Sequence, residues 1–227
     1  MKVGLLLCGH VNQLLLDGFD DYPAMFESLF GEVIPGFKFL IYDLINNEFP
    51  QDIDECDAYI SSGSTHSVLD DEAWIHRFED LIRLMYARHK KFVGICFGHQ
   101  MIAKAFGGEV VVSRKGWGIG SHKVNVVHEK SWMNPPSKSY ELLQSHAEQI
   151  LEIPTGAQLL ASSEFCPNAM FQMGNSLLGI QAHPEYCSDY IQALMEIRRS
   201  SIGEKRVEEA QESLNGHLDT ELIMQWI

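Results

Sequence analysis

Two short stretches of the sequence carry residue types that can do covalent chemistry together. The first is Phe92-Val93-Gly94-Ile95-Cys96-Phe97-Gly98-His99-Gln100. It opens as a short apolar run, sets one cysteine between glycines, and continues with Met101, Ile102, Ala103, Ala105 and Phe106 at helical spacing. Glycines two before and two after a nucleophile permit a tight strand-to-helix turn, because a Cβ at either place would strike the neighbouring element. Cys96 is thereby expected at a helix N-terminus, where unpaired backbone N–H groups and the helix dipole favour negative charge on the sulfur. The second stretch is Gln181-Ala182-His183-Pro184-Glu185, directly after the apolar run Leu177-Leu178-Gly179-Ile180. A nucleophilic cysteine needs a base to take its proton, and the base needs a further group to fix its tautomer. His183 at a strand end, with Glu185 two residues on, supplies both. A buried structural cysteine in an ordinary strand-to-helix turn is the competing reading of the first stretch alone, and the second stretch weighs against it.

The elements that must hold these stretches alternate between strand and helix in the first half of the chain. Val3 to Cys8 reads as a buried strand, too short for a signal peptide or a membrane span. Asp17 to Asp21 is a polar loop before a helix with Pro23 in its first turn, an apolar face of Met25, Phe26, Leu29 and Phe30, and Gly31 as its stop. Phe37 to Tyr42 and Asp57 to Ile60 read as the next strands, the latter leading into Ser61-Ser62-Gly63-Ser64-Thr65-His66. Asp70 or Asp71 is expected to cap a helix whose Trp74, Phe78, Leu81 and Met85 share one face. The cysteine strand and its helix follow, and Gly107-Gly108 ends that helix.

Beyond Gly108 the pattern changes. Glu109 to Ser113, Lys123 to His128, Ser139 to Gln144, Gln158 to Ala161, Ala169 to Gln172 and Leu177 to Ala182 are strand-like runs with no helix between them. The expected fold is therefore α/β in three layers: a mostly parallel central sheet, helices on both faces, and antiparallel strands added at one edge. Ser188 reads as the cap of a helix with Ile191, Leu194, Met195 and Arg198 on one face. Glu204 to Ser213 reads as a charged, solvated helix, and Leu218, Leu222, Ile223 and Trp226 as a stripe that docks on this chain or on a partner. Residues 1–227 are expected to form a single domain, with a core over about 1–200 and a helical extension over about 203–227.

Composition narrows the function classes. A chain of 227 residues with 45% hydrophobic and 21% charged content can bury a large core without staples. A formal charge of −14 argues against nucleic acid or an anionic membrane as a partner, since both need clustered Lys and Arg. Cys8, Cys56, Cys96, Cys166 and Cys187 are widely separated with no C-x-x-C spacing, which speaks against a disulfide framework or a zinc site and suits a reducing cytoplasm. His66, His99, His122 and His128 lack a second ligand at useful spacing, so no metal is expected. Gly116-Trp117-Gly118-Ile119-Gly120 reads as a bend that lets backbone approach a substrate rather than as a phosphate cradle, because no Lys-Ser/Thr follows it. His10, after the first strand, is a further candidate for the active edge.

Gly94-Ile95-Cys96-Phe97-Gly98-His99-Gln100 together with His183-Pro184-Glu185 resembles the class I glutamine amidotransferase domain, over about residues 1–200. The chain looks most like stand-alone members similar to the glutaminase half of GMP synthase, a group that includes plant γ-glutamyl peptidases. The resemblance implies a catalytic group of Cys96, His183 and Glu185, and an oxyanion site built from N–H groups of Phe97 and of Gly63 or Ser64. It also implies substrate contacts at Gln100 and in the Ser145-His146 segment, where His146 also reads as a hydrogen-bonded structural residue. The implied substrate is glutamine or a γ-glutamyl small molecule, with no cofactor. The amine released goes either to a synthase partner, since the chain has no P-loop and no room for a synthase domain, or to solvent. A fold that has lost activity and only binds or regulates is disfavoured by the three intact side chains. The protease and chaperone group with an elbow cysteine fits less well, because its histidine follows the cysteine directly and Phe97 stands there here.

Overall fold

The computed structural model describes residues 1–33 and 36–227. The parallel half of the sheet is built from β1 (Lys2–Leu7), β2 (Lys38–Asp43), β3 (Ala58–Ser61) and β4 (Lys91–Ile95). Between them lie α1 (Tyr22–Val33) and α2 (Ala73–Ala87), and α3 (Phe97–Ala105) follows β4 after a single residue, Cys96. The second half contributes β5 (Glu109–Val112), β6 (Gly118–Val126), β7 (Ser139–His146), β8 (Glu148–Glu152), β9 (Ala157–Ser162), β10 (Met170–Met173) and β11 (Leu177–Ile180). The helices α4 (Ser188–Ile202), α5 (Glu204–Ser213) and α6 (Thr220–Trp226) follow.

Among the described residues the main sheet has nine strands in the order β2-β1-β3-β4-β11-β10-β9-β6-β7. The alternation of strand and helix makes β2, β1, β3 and β4 parallel, as the sequence pattern predicts. Two expectations for the second half are corrected. β11 is not an antiparallel edge strand: it inserts beside β4 and runs parallel to it. β5 does not join the main sheet but pairs antiparallel with β8 in a separate ribbon. The remaining short runs do extend one edge in antiparallel fashion.

Strand residues alternate between two apolar clusters, one on each face. On β1, Val3, Leu5 and Leu7 face α1, α4 and α6, where Phe26, Leu194 and Ile223 are buried, while Leu6 and Cys8 face α2 and α3, where Phe78 and Met101 are buried. The helix limits also differ from the sequence reading in detail. α1 runs through Gly31 to Val33. α2 starts after Glu72, and Asp70 instead accepts the Ser67 N–H at 2.9 Å. Cys187, not Ser188, stands at the N-cap of α4. Helix α5 is not simply solvated: Val207 and Ala210 are buried, and the Ser213 hydroxyl accepts the Ser121 N–H. The terminal stripe docks on this chain, where Trp226 packs edge-on to Tyr140 and donates to the Pro135 carbonyl at 2.9 Å.

The approach of α3 to β4 is set by glycine. A Cβ on Gly94 would stand 2.7 Å from the backbone nitrogen of His99, and one on Gly98 would collide with the Ser61 hydroxyl. Gly94→Ala is therefore expected to lower stability by about 1–3 kcal/mol, because the obstacle is backbone and cannot rotate away. Gly31→Ala, with nothing among the described residues within 4 Å of its Cβ position inside α1, should raise it by up to about 1 kcal/mol. Urea unfolding midpoints of the two variants test the contrast.

Candidate active site

Cys96 is the one-residue hinge between β4 and α3, with φ 47° and ψ −90°. A non-glycine residue in that region carries strain on the order of 1–3 kcal/mol. The surrounding bonds hold it there: the Cys96 N–H donates to the Ile180 carbonyl at 2.8 Å, and its own carbonyl accepts the Gln100 N–H at 3.1 Å. The strain lifts the sulfur above the C-terminal ends of the parallel strands. No side chain caps α3, so the first-turn N–H groups, that of Phe97 among them, lack an intrahelical partner and face the sulfur's surroundings.

His183 reaches the same place from β11. Its N–H donates to the Leu143 carbonyl at 2.9 Å, which ties the segment after β11 to β7. The imidazole stacks on Tyr186 with ring centroids 4.0 Å apart and an interplanar angle of 3°. On Gly63 a Cβ would stand 2.7 Å from His183 Cε1, so a glycine is required in the loop after β3. Nδ1 is 2.7 Å from Glu185 Oε1, with both side chains buried. That pairing fixes the tautomer: Nδ1–H donates to the carboxylate, and Nε2 is left with no partner among the described residues. Burial alone would lower the pKa of His183. The Glu185 carboxylate, and after it the neighbouring Cys96 sulfur, oppose burial and hold His183 above the ordinary histidine range.

A cavity of about 340 Å³ opens at Cys96. Of the residues expected at the oxyanion site and the substrate contacts, Ser64, Phe97, Gln100, Ser145 and His146 line it, and Gly63 does not. Gln100 is held rather than free, its Nε2 donating to the Glu148 carbonyl at 2.9 Å and to Gln181 Oε1 at 3.2 Å. His146 is engaged on both nitrogens, Nδ1 with the Glu148 carbonyl and Nε2 with the Gln144 amide, each at 2.9 Å. Burial pushes its pKa down to about 3. A neutral ring that donates from Nδ1 has a lone pair at Nε2, so the Gln144 amide satisfies it with its nitrogen turned to the ring.

Several expected residues lie elsewhere or act differently. His10 bridges Asp21 and Asp43 at 2.9 and 3.0 Å. His99 is buried beneath the elbow against Phe171, with its pKa lowered to about 3 by burial. In the glycine run, Gly118 and Gly120 are packed closely against this chain's own residues. A Cβ on Gly118 would strike His146 and Phe165, one on Gly120 would strike Ser213 and Ala210 of α5, and only Trp117 of the run reaches the cavity.

The sequence reading missed Gln181, whose Nε2 donates to Cys96 Sγ at 3.4 Å. It stands two residues before His183, directly after the end of β11. Trp117 and Glu148, from the two segments expected to border the site, and Arg198 also line the cavity. Among the described residues no group of three or more His, Cys, Asp or Glu is placed to hold a metal ion, and no helix is long and apolar enough to cross a membrane.

The arrangement can hold a sulfur nucleophile beside an oriented imidazole with N–H donors at hand, the requirements of acyl transfer. Because the Glu185 carboxylate is what raises His183, Glu185→Gln should move the His183 titration downward, toward or below the ordinary histidine value. NMR of the imidazole ring across pH measures this directly, and an unmoved titration would separate the two side chains.

Residues 42–195 match the sequence profile of class-I glutamine amidotransferases. γ-Glutamyl peptidase 3 of Arabidopsis thaliana is 31% identical over 193 residues, covering 82% of this chain and 77% of the relative. One subunit of the glutamine-hydrolysing GMP synthase of Sulfolobus acidocaldarius is 32% identical over 136 residues, covering 60% of this chain and 70% of the relative. The crystal structure of a glutamine amidotransferase from Thermotoga maritima superposes with a TM-score of 0.79 at 21% identity, covering 99% of this chain and 96% of that one, a likeness of fold. By its profile match over residues 42–195 and the extent of its identity to these relatives, the chain belongs to the class I glutamine amidotransferase family.

Proposed function

We propose that the protein hydrolyses the side-chain amide of γ-glutamyl compounds through a thioester on Cys96, with residues 1–227 acting as one unit. The observation that carries the reading is the strained Cys96 at the uncapped start of α3, beside a buried His183 whose Nδ1 is held by Glu185.

With the shared proton held on His183, whose pKa is raised, against the effect of burial, by Glu185 and the neighbouring sulfur, the Cys96 thiolate attacks the γ-carbonyl carbon. The oxyanion that forms accepts from the N–H of Phe97 and from that of Gly63 or Ser64. One such donor is worth about 2.7–4 kcal/mol of transition-state stabilisation. The C–N bond then breaks as His183 returns its proton to the departing nitrogen, leaving a γ-glutamyl thioester. Water, deprotonated by His183, attacks the thioester carbonyl. The C–S bond breaks, the sulfur recovers its proton, and glutamate leaves. Gln181 donates to the sulfur throughout, and Gln100 and the Ser145-His146 segment line the substrate site.

Two fates of the released nitrogen follow from the relatives. Release to solvent, as a free-standing γ-glutamyl peptidase or hydrolase, is favoured because the peptidase relative aligns over 82% of this chain and the synthase relative over 60%. Delivery to a synthase partner is the second reading, supported by the 32% identity to the GMP synthase relative.

The test is glutamate release by the purified chain from glutamine and from a γ-glutamyl dipeptide. Cys96→Ala and His183→Ala should each reduce turnover by about a thousandfold or more. Retained turnover in Cys96→Ala removes the thioester from the mechanism, while activity that appears only on adding a second protein selects the synthase reading.

A further inference from the structure

One face of the His183 imidazole is taken by a residue that the reaction above does not use. Tyr186 lies flat against it, with ring centroids 4.0 Å apart and an interplanar angle of 3°. Glu185 does not orient the imidazole by itself. Its Oε1 holds Nδ1 at 2.7 Å, but its Oε2 has no hydrogen-bond partner among the described residues. One contact of this kind fixes the tautomer and the direction of one ring edge. The ring can still tilt about that axis, and a parallel aromatic face removes the tilt. Tyr186 is buried and is itself held from two helices. Its hydroxyl meets that of Tyr22, at the start of α1, at 3.0 Å, and its ring packs on that of Tyr190, in α4, at 4.7 Å between centroids. Tyr186 does not line the cavity at Cys96, so it acts on the reaction through His183.

The titratable groups around the imidazole leave Tyr186 one electrostatic means of acting. Glu185 and the Cys96 sulfur supply negative charge. His146, at the end of β7, is kept neutral by burial. The phenols of Tyr186 and Tyr22 are held well above the ordinary tyrosine range, chiefly by burial, and stay neutral too. What Tyr186 offers is therefore the negative face of its π-system, which attracts a cation lying over it, and more strongly where water is excluded. In the reaction above, His183 carries the proton when the sulfur attacks, so the ring over Tyr186 is then a cation. We propose that Tyr186 is a positioning residue for this reaction: its ring face fixes the plane of the His183 imidazole and favours that imidazole in its protonated form. The inference rests on the acid–base role of His183 in the hydrolase reading above.

Tyr186→Leu keeps an apolar side chain at the position and removes the ring face. NMR of the imidazole across pH, on the full chain, should find the His183 midpoint lower by about one pH unit, the scale of a desolvated cation–π contact. With a γ-glutamyl dipeptide, kcat should fall about tenfold and KM should stay within about twofold. Tyr186→Phe keeps the ring and loses only the bond to Tyr22, and should recover most of both changes. Pentafluorophenylalanine at position 186 is the second probe, in case the leucine variant does not fold. It fills the same space as phenylalanine, but its electron-poor face does not attract a cation, so it should lower the midpoint as Tyr186→Leu does. An unmoved midpoint in these two proteins overturns the proposal, as does a midpoint that moves while kcat does not. Tyr186→Phe as damaging as Tyr186→Leu also overturns it, because the effect would then belong to the hydroxyl. His183→Ala separates the two levels of failure. If it loses turnover while the Tyr186 variants behave as the unaltered protein, the hydrolase reading stands and the role of Tyr186 falls; if it retains turnover, both fall.

Discussion

The close contact between α3 and the centre of the sheet is the constraint on which the rest of the site depends. It is made possible by a row of small residues at one level of three adjacent strands: Ser61 on β3, Gly94 on β4 and Gly179 on β11, paired in parallel register. Gly98 sits over Ser61, the backbone of Gly98 and His99 over Gly94, and the His99 ring over Gly179, where a Cβ would stand 2.7 Å from Nδ1. A larger side chain anywhere in this row lifts the helix. Lifting the helix relaxes Cys96 out of its positive φ and moves the sulfur away from His183. The strain at Cys96 persists because the packing beneath it is stronger than the preference of one residue.

The insertion of β11 beside β4 completes this row and also delivers His183. After β4 and α3 the chain travels through the whole antiparallel half before returning to the middle of the sheet as β11. The residues after Ile180 therefore emerge next to those after Ile95, and Gln181 and His183 face Cys96 from the adjacent strand end. The Leu143–His183 bridge then links this strand end to β7, whose last residues, Ser145 and His146, form the cavity wall. Each wall is thus anchored to the sheet by backbone hydrogen bonds, and the ionisable groups are held by single, specific contacts. Glu185 meets the imidazole within a buried pair, where the attraction is little screened by solvent.

What was legible in the sequence follows from how local each signal is. The elbow could be read because its requirement, glycine on each side of a cysteine between an apolar run and a helical period, is met within nine consecutive residues. The parallel half could be read because strand and helix alternate. The position of β11 could not: a four-residue apolar run looks the same at an edge and at the centre, and its neighbours are chosen by contacts many residues away. The β5–β8 ribbon was hidden for the same reason. Glycines 118 and 120 were assigned to a substrate-facing bend because a glycine run reports close approach without naming what approaches. Here the neighbours are a histidine, an aromatic ring and helix α5. In α5 the mistake was one of weighting, since two small apolar residues, Val207 and Ala210, suffice to bury a face that composition marks as solvated.

Arg198 illustrates the same limit in a residue that lines the cavity. It falls on the face of α4 defined by Ile191 and Leu194, where a helical period predicts burial against the sheet. An arginine in that position has two physical outcomes: its stem lies along apolar surface while the charge reaches water, or the charge enters an interior space that can use it. Sequence spacing does not separate them, but the structure does, because α4 crosses the mouth of a cavity formed by the ends of other elements. Cys96 and His183 stand at strand ends above the small-residue row, and the part of the cavity wall lined by Arg198 and Ser201 comes from α4, which packs on the other apolar cluster from α3.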